Sequence, residues 1–147
     1  MAPQYPFEVH TPYRLFYSDM IEALTVTLID GEIGVYAGHS FFTAPTRPCI
    51  LRIKDKKGLW REAFVDGGFL EVKAHKTVLM VNTAEWPAEI DRSRALAAKE
   101  RAEARIRESS FRFEAERARS DLRRADLRLK ARDLYQGSDA PPAPPES

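Results

Sequence analysis

The side chains best suited to chemistry in this sequence are arginines. Arg94 and Arg101 are seven residues apart and Arg124 and Arg128 are four apart, so each pair shares one face if its segment is helical. If the two segments fold back on each other, the pairs converge. Convergent guanidinium groups suit a polyphosphate, because each can hold two phosphate oxygens at once. The same residues also fit a solvated charged face laced with ion pairs at i to i+4, and spacing alone leaves both readings open. Other chemistries find less support. His10, His39 and His75 lie far apart without metal-ligand spacing, so no metal site is expected. Gly31, Gly34 and Gly38 do not have GxGxxG spacing and no GxxxxGK string occurs, so these glycines read as turn formers. Asp55, Asp66 and Glu71 fall in turns or on strand faces, with nothing marking an acid/base pair. No catalytic residue is assigned. Acidic Glu114, Glu116, Asp121, Asp126 and Asp133 interrupt the basic C-terminal stretch, which argues against a nucleic-acid groove. Cys49 is the single cysteine and reads as a small buried apolar side chain.

The elements that must position the arginines follow from composition. The chain has 147 residues and a formal net charge of +1, but that total hides an uneven distribution. Residues 1–90 hold 9 basic and 11 acidic side chains, residues 91–135 hold 14 and 9, and the tail adds Asp139 and Glu146. Six of the 7 glycines lie between Gly31 and Gly68, and no proline occurs between Pro87 and Pro141. At 44% hydrophobic and 31% charged, the chain is too apolar to be wholly disordered and too polar for a membrane protein. The most apolar stretch, Ile21 to Ile29, is far too short to span a bilayer, and the first six residues lack the features of a secretion signal.

The first part reads as about eight short strands: Phe7 to His10, Arg14 to Tyr17, Leu24 to Ile29, Ile33 to Tyr36, Cys49 to Lys54, Leu59 to Val65, Phe69 to Lys73 and Thr77 to Thr83. Turn signals at Asp30-Gly31, Asp55-Lys56-Lys57-Gly58 and Asp66-Gly67-Gly68 separate several of them, and Gly38 to Pro48 reads as a loop. Such spacing predicts an antiparallel sandwich or barrel. Residues 91–134 contain neither Gly nor Pro and are rich in Ala, Arg, Glu and Leu, all good helix formers. Asp91 is a helix N-cap candidate. Ala95, Ala98, Ala102 and Ile106 form one narrow apolar stripe, and Ala115, Ala118, Leu122, Ala125 and Leu129 form a second. Ser109-Ser110 between them offers a cap for a second helix, so a hairpin is expected, with one helix of about 44 residues as the rival. A hairpin held by alanines buries little apolar area and should open at small cost. The architecture expected is therefore α+β: an antiparallel β-sandwich of 8–10 short strands over residues 1–87, a two-helix antiparallel hairpin over 88–135, and a disordered proline-rich tail over 136–147.

Several ordered strings resemble one known family. Gly31-Glu32-Ile33-Gly34-Val35 followed by Gly38-His39 is similar to the G-E-x-G-V-x-x-G-H signature of the epsilon subunit of F-type ATP synthases. Arg47-Pro48-Cys49-Ile50-Leu51-Arg52-Ile53, Gly67-Gly68-Phe69-Leu70-Glu71-Val72, Asn82-Thr83-Ala84-Glu85, Glu89-Ile90-Asp91 and Ala97-Ala98-Lys99-Glu100-Arg101-Ala102 resemble further segments of that family in register. The resemblance runs from Phe7 to about Ile106, and more loosely to Leu134. Phe41 stands where the family usually has proline, and Cys49 where glycine is common.

The resemblance implies a ten-stranded sandwich followed by two helices, and a non-catalytic subunit of the central rotor stalk that requires no cofactor. The sandwich would bind the gamma subunit and the membrane proteolipid ring through a rotor-interface loop with Glu32, Gly38, His39, Phe41 and Phe42. The Phe41-Phe42 pair reads equally as an interface patch or as buried loop aromatics. The helices would fold down or extend toward the alpha and beta subunits and obstruct ATP hydrolysis, with Arg112, Arg117, Arg119 and Arg123 facing acidic segments of beta. The family's I/L-D-x-x-R-A motif matches Ile90-Asp91-Arg92-Ser93-Arg94-Ala95. It implies ATP as a regulatory ligand of the folded-down helices, held by Glu85, Asp91, Arg94, Arg101, Arg124 and Arg128. The location implied is the cytoplasmic face of the bacterial inner membrane, reached only through the complex. The competing class is a β-sandwich plus coiled-coil scaffold outside the synthase.

Overall fold

The structure is a computed structural model, and it describes residues 2–134. The expected tail over 136–147 lies outside the described residues. The backbone divides into two units between Glu85 and Trp86.

Nine strands make up the first unit: β1 (Tyr5–His10), β2 (Leu15–Leu28), β3 (Gly31–Tyr36), β4 (Phe42–Thr46), β5 (Cys49–Asp55), β6 (Trp60–Val65), β7 (Gly68–Val72), β8 (Thr77–Val81) and β9 (Ala84–Glu85). The long strand β2 builds the sandwich, because its two halves serve different layers. Residues from Leu15 to Ile21 pair with β1, which continues through β8 and β7 to β4. Residues from Ile21 to Leu28 pair with β3 on one side and β5 on the other, and β5 leads on to β6 and β9. The change of partner coincides with a register irregularity between Ile21 and Ala23, where a bulge increases twist and turns the strand from one layer to the next. All pairings are antiparallel except β1 with β8, which is parallel. Between the layers lie Phe7, Ile21, Leu24, Leu51, Ile53, Phe64, Leu70 and Leu79, all fully buried. Alternation along each strand puts these side chains on the inner face.

Two expectations from the sequence are corrected here. The runs Arg14 to Tyr17 and Leu24 to Ile29 are not separate strands. The polar stretch between them, Ser18-Asp19, stays extended because it pairs with Glu8 and Phe7 of β1. The segment Gly38 to Pro48 is not all loop, since Phe42–Thr46 forms β4 and pairs along its whole length with β7.

The second unit begins with a 3-10 turn over Pro87–Glu89, where the Glu89 carboxylate accepts a hydrogen bond from the Trp86 backbone N–H at 2.9 Å. Helix α1 spans Arg92–Glu108 and α2 spans Arg112–Asp133. The hairpin forms rather than one long helix. Asp91 caps α1, its carboxylate accepting from the Arg94 N–H at 3.1 Å. The serine pair ends α1 but does not cap α2. Ser109 is the C-cap of the first helix, and Phe111 occupies the N-cap position of the second without a side-chain hydrogen bond. The Ser109 hydroxyl instead bridges the Phe111 backbone, donating to its carbonyl at 2.9 Å. Ala95 and Ala102 of α1 and Ala118, Ala125 and Ala131 of α2 are the buried residues of the two helices. Small side chains there let the backbones approach closely, which is how so narrow a stripe can form an interface.

Candidate functional site

Ion pairs cross between the helices from Arg92 to Asp133 at 3.3 Å, from Lys99 to Asp126 at 3.1 Å and from Arg105 to Asp121 at 3.0 Å. They step forward along α1 and backward along α2, and so fix the antiparallel register. Each is half-exposed, so solvent screening leaves it individually weak. The hydrogen bond that the exposed Lys99 amine donates to the Asp126 carboxylate raises the amine's pKa.

That register brings arginines together. One cleft of about 190 Å3 between the helices is lined by Ala98, Arg101, Ala102 and Arg105 of α1 and by Asp121, Arg124, Ala125 and Arg128 of α2. Three of the six residues assigned to ATP from the sequence, Arg101, Arg124 and Arg128, therefore meet in one place. The other three are not among its lining residues. Arg94 is exposed in the first turn of α1, two helical turns (about 10 Å) before Arg101. Asp91 is engaged as the N-cap, and Glu85 pairs through its backbone with Phe64 in the other unit. Arg105 and Asp121 are lining residues that the sequence reading missed. Arg105 follows Arg101 by four residues, the spacing that drew attention to Arg124 and Arg128. Asp121 was noted only as an interruption of positive charge.

The second candidate region lies at one end of the sandwich. Phe41 is 70% exposed, while Phe42 is half-buried and meets the His39 ring edge-on at 5.1 Å between centroids. Gly38 takes a φ of 81°, a left-handed conformation that glycine adopts without strain. Gly38, His39 and Phe41 line a cavity of about 250 Å3 together with Tyr5, Tyr36 and the Lys73–Thr77 segment. The Tyr5 hydroxyl donates to the Val35 carbonyl at 2.6 Å, and burial, with the neighbouring Tyr36, pushes its pKa up. Glu32 does not belong with this group. It sits near the start of β3, paired with Thr27, whereas His39 follows the end of that strand. Cys49 is buried, and burial raises its thiol pKa.

The residues assigned to beta-subunit contact, Arg112, Arg117, Arg119 and Arg123, are all exposed on α2, and Arg112 pairs with Glu116 at 3.1 Å. Among the described residues no group of three or more His, Cys, Asp or Glu side chains is placed to hold a metal ion, and no helix is long and apolar enough to cross a membrane.

Fold and cleft together define a class of protein: a β-sandwich module followed by an alanine-packed helical hairpin that gathers arginines along its seam. Residues 4–87 match the family model for the ATP synthase delta/epsilon chain β-sandwich domain, and residues 88–132 match that for the delta/epsilon chain long α-helix domain. The ATP synthase epsilon chain of Caldicellulosiruptor saccharolyticus is 47% identical over 136 residues, covering 92% of this chain and 98% of that one. That of Caldanaerobacter subterraneus is 43% identical over 137 residues, covering 92% and 99%. The chain belongs to the family of ATP synthase epsilon chains. The same fold occurs in a solved structure of the Euglena gracilis mitochondrial ATP synthase assembly of OSCP, F1 and c-ring, with a TM-score of 0.77 at 22% identity over 92% of this chain and 84% of that one.

Proposed function

We propose that this chain is a non-catalytic subunit of the F-type ATP synthase central stalk. Its sandwich couples the gamma subunit to the proteolipid ring, and its helical hairpin restrains ATP hydrolysis, with ATP as the ligand that favours the folded hairpin. In the assembled enzyme it works at the cytoplasmic face of the bacterial inner membrane, held there by its partners. The end of the sandwich bearing His39 and Phe41 is the surface offered to the ring. The extended hairpin directs Arg112, Arg117, Arg119 and Arg123 toward alpha and beta. Between Phe111 and Leu134 there are 8 basic and 5 acidic residues, a bias that favours an acidic partner surface.

The observation that carries the ATP reading is the convergence of Arg101, Arg124 and Arg128 on one cleft. Three guanidinium groups from two helices can hold a triphosphate only while the helices lie together, so binding and folding back are linked. Calorimetry on the full chain tests this. ATP should bind the wild type, and Arg128→Ala should weaken binding about tenfold or more, the loss of a charge-assisted hydrogen bond. Absence of binding heat in both proteins refutes ATP sensing. In the assembled enzyme, deleting residues 111–147 should leave assembly with gamma intact and raise ATP hydrolysis. Unchanged hydrolysis removes the inhibitory role, and failure of the full chain to co-purify with gamma removes the central-stalk assignment.

A further inference from the structure

The arginine cleft contains an anion of its own. Asp121 is the one acidic residue among the eight that line it. Its carboxylate reaches the Arg105 guanidinium across the hairpin at 3.0 Å and approaches that of Arg124 on its own helix at 3.8 Å. Both arginines also line the cleft, so Asp121 engages the same donors that a phosphate group would need. Two other ion pairs between the helices, Arg92 to Asp133 and Lys99 to Asp126, involve none of the lining residues. Asp121 therefore differs from the other acidic residues of α2, which contribute charge to the surface and not to the cleft.

We infer that Asp121 is a built-in competitor for the polyphosphate site and sets its affinity. The inference deepens the ATP reading and rests on the cleft being an anion site. With no ligand, the carboxylate bridges α1 and α2 and holds the hairpin closed. An incoming polyphosphate has to share Arg105 and Arg124 with that carboxylate, or turn it out toward water, and in either case meets a like charge at close range. The groups are half-exposed, so the repulsion lies between its values in water and at a partly buried site. Removing it should tighten binding about tenfold, since about 1.4 kcal/mol is one decade. Asp121 is thus an affinity-setting residue that keeps the cleft unresponsive to low anion concentrations.

The test uses the full-length chain with ATP and with inorganic tripolyphosphate, in about 0.15 M salt so that charges beyond about 8 Å are screened. The variants are Asp121→Asn and Asp126→Asn. Both lose one ion pair between the helices, so hydrogen exchange of the hairpin without ligand should speed up similarly in the two. Only Asp121→Asn should bind tripolyphosphate and ATP about tenfold tighter. Equal tripolyphosphate affinity in Asp121→Asn and wild type overturns the inference, as does equal tightening in Asp126→Asn. If wild type binds ATP and Asp121→Asn binds no tighter, this inference falls and ATP sensing stands. If tripolyphosphate tightens in Asp121→Asn while ATP binds no variant, the competitor role stands and ATP sensing falls. If neither anion binds any variant, both fall.

Discussion

The seam of the hairpin can be broken by adding bulk at Ala118. This residue has 0% of its surface exposed, although it lies on a helix whose immediate neighbours Arg117 and Arg119 are both exposed. Leucine in its place adds three carbons at a position with no free surface. Overpacking of this kind costs about 1–3 kcal/mol. The strain can be relieved by parting the helices, because the pairs that hold them are half-exposed and individually weak. At 1.4 kcal/mol per decade, the opening equilibrium of the hairpin should rise about five- to 150-fold. Hydrogen exchange on the intact chain reads this directly. Amides of α1 and α2 should lose protection by that factor, while amides of β5 and β6 serve as the internal control. Arg119→Leu adds a leucine at an exposed neighbouring position and should leave protection unchanged. If Ala118→Leu protects its helices as well as the wild type does, the seam has room to spare and close alanine packing does not hold the hairpin. On the proposed reading, Ala118→Leu also favours the extended helices, so the assembled enzyme should hydrolyse ATP more slowly.

Two further outcomes concern the sandwich. The Asp55 carboxyl is partly desolvated, which alone would raise its pKa. The backbone N–H groups of Leu59 and Lys57 and the Arg61 guanidinium outweigh that effect and hold the pKa below the usual carboxylate range. A lowered folded-state pKa contributes stability that is complete above the unfolded value of about 3.9 and fades as pH falls through the folded value. Acid melts should therefore show a loss of sandwich stability below about pH 4 that is smaller in Asp55→Asn, whose stability at neutral pH should be lower by about 1 kcal/mol. An unchanged acid limb in that variant would mean the Asp55 network does not couple to folding. Gly68→Ala should be severe, because an added Cβ would overlap the Met80 carbonyl oxygen on the neighbouring strand. The β7–β8 register holds that oxygen in place. A loss above about 3 kcal/mol in chemical denaturation is expected, and a loss below about 1 kcal/mol would show that the strands shift apart easily.

Most strands were legible because their apolar residues alternate with polar ones and glycine-bearing turns bound them. Leu51 and Ile53 in β5, and Leu70 and Val72 in β7, are examples. What was hidden had a physical cause. β4 reads Phe-Thr-Ala-Pro-Thr, where Ala44 and Pro45 interrupt a run too short to show alternation. Its place comes from pairing with β7, where Pro45 meets Phe69, 24 residues later in the chain, not from local propensity. The polar Ser18 and Asp19 break the apolar pattern between the runs at Arg14 to Tyr17 and Leu24 to Ile29, yet exposed polar residues are what a strand with one solvated face requires. The hairpin was legible from its alanine stripes and its uninterrupted helix formers. The cleft was only half legible. Helix spacing grouped Arg124 with Arg128, but which turn of α1 faces them depends on the register of the hairpin. That register is set by three ion pairs that join residues 16 to 41 positions apart, and no local pattern specifies it.

On the proposed reading, the choice of alanine for the seam is what lets the cleft regulate the hairpin. Closing the hairpin brings Arg101, Arg105, Arg124 and Arg128 around a space of about 190 Å3, and their mutual repulsion opposes closure. Leucines in the seam would contribute about 1.5–3 kcal/mol each on full burial, and a closed state so stabilised would persist whether or not an anion arrived. A ligand can shift an equilibrium only by its differential affinity for the two states, and a few kcal/mol of phosphate contacts cannot move a balance much larger than itself. With five buried alanines and half-exposed ion pairs, the proposed reading puts the closed and open forms close enough for the charge in the cleft to decide between them. On that reading Asp121 supplies part of that charge permanently and a bound polyphosphate would supply the rest. On that reading the same cleft that draws the anion also limits how long the hairpin stays closed without one.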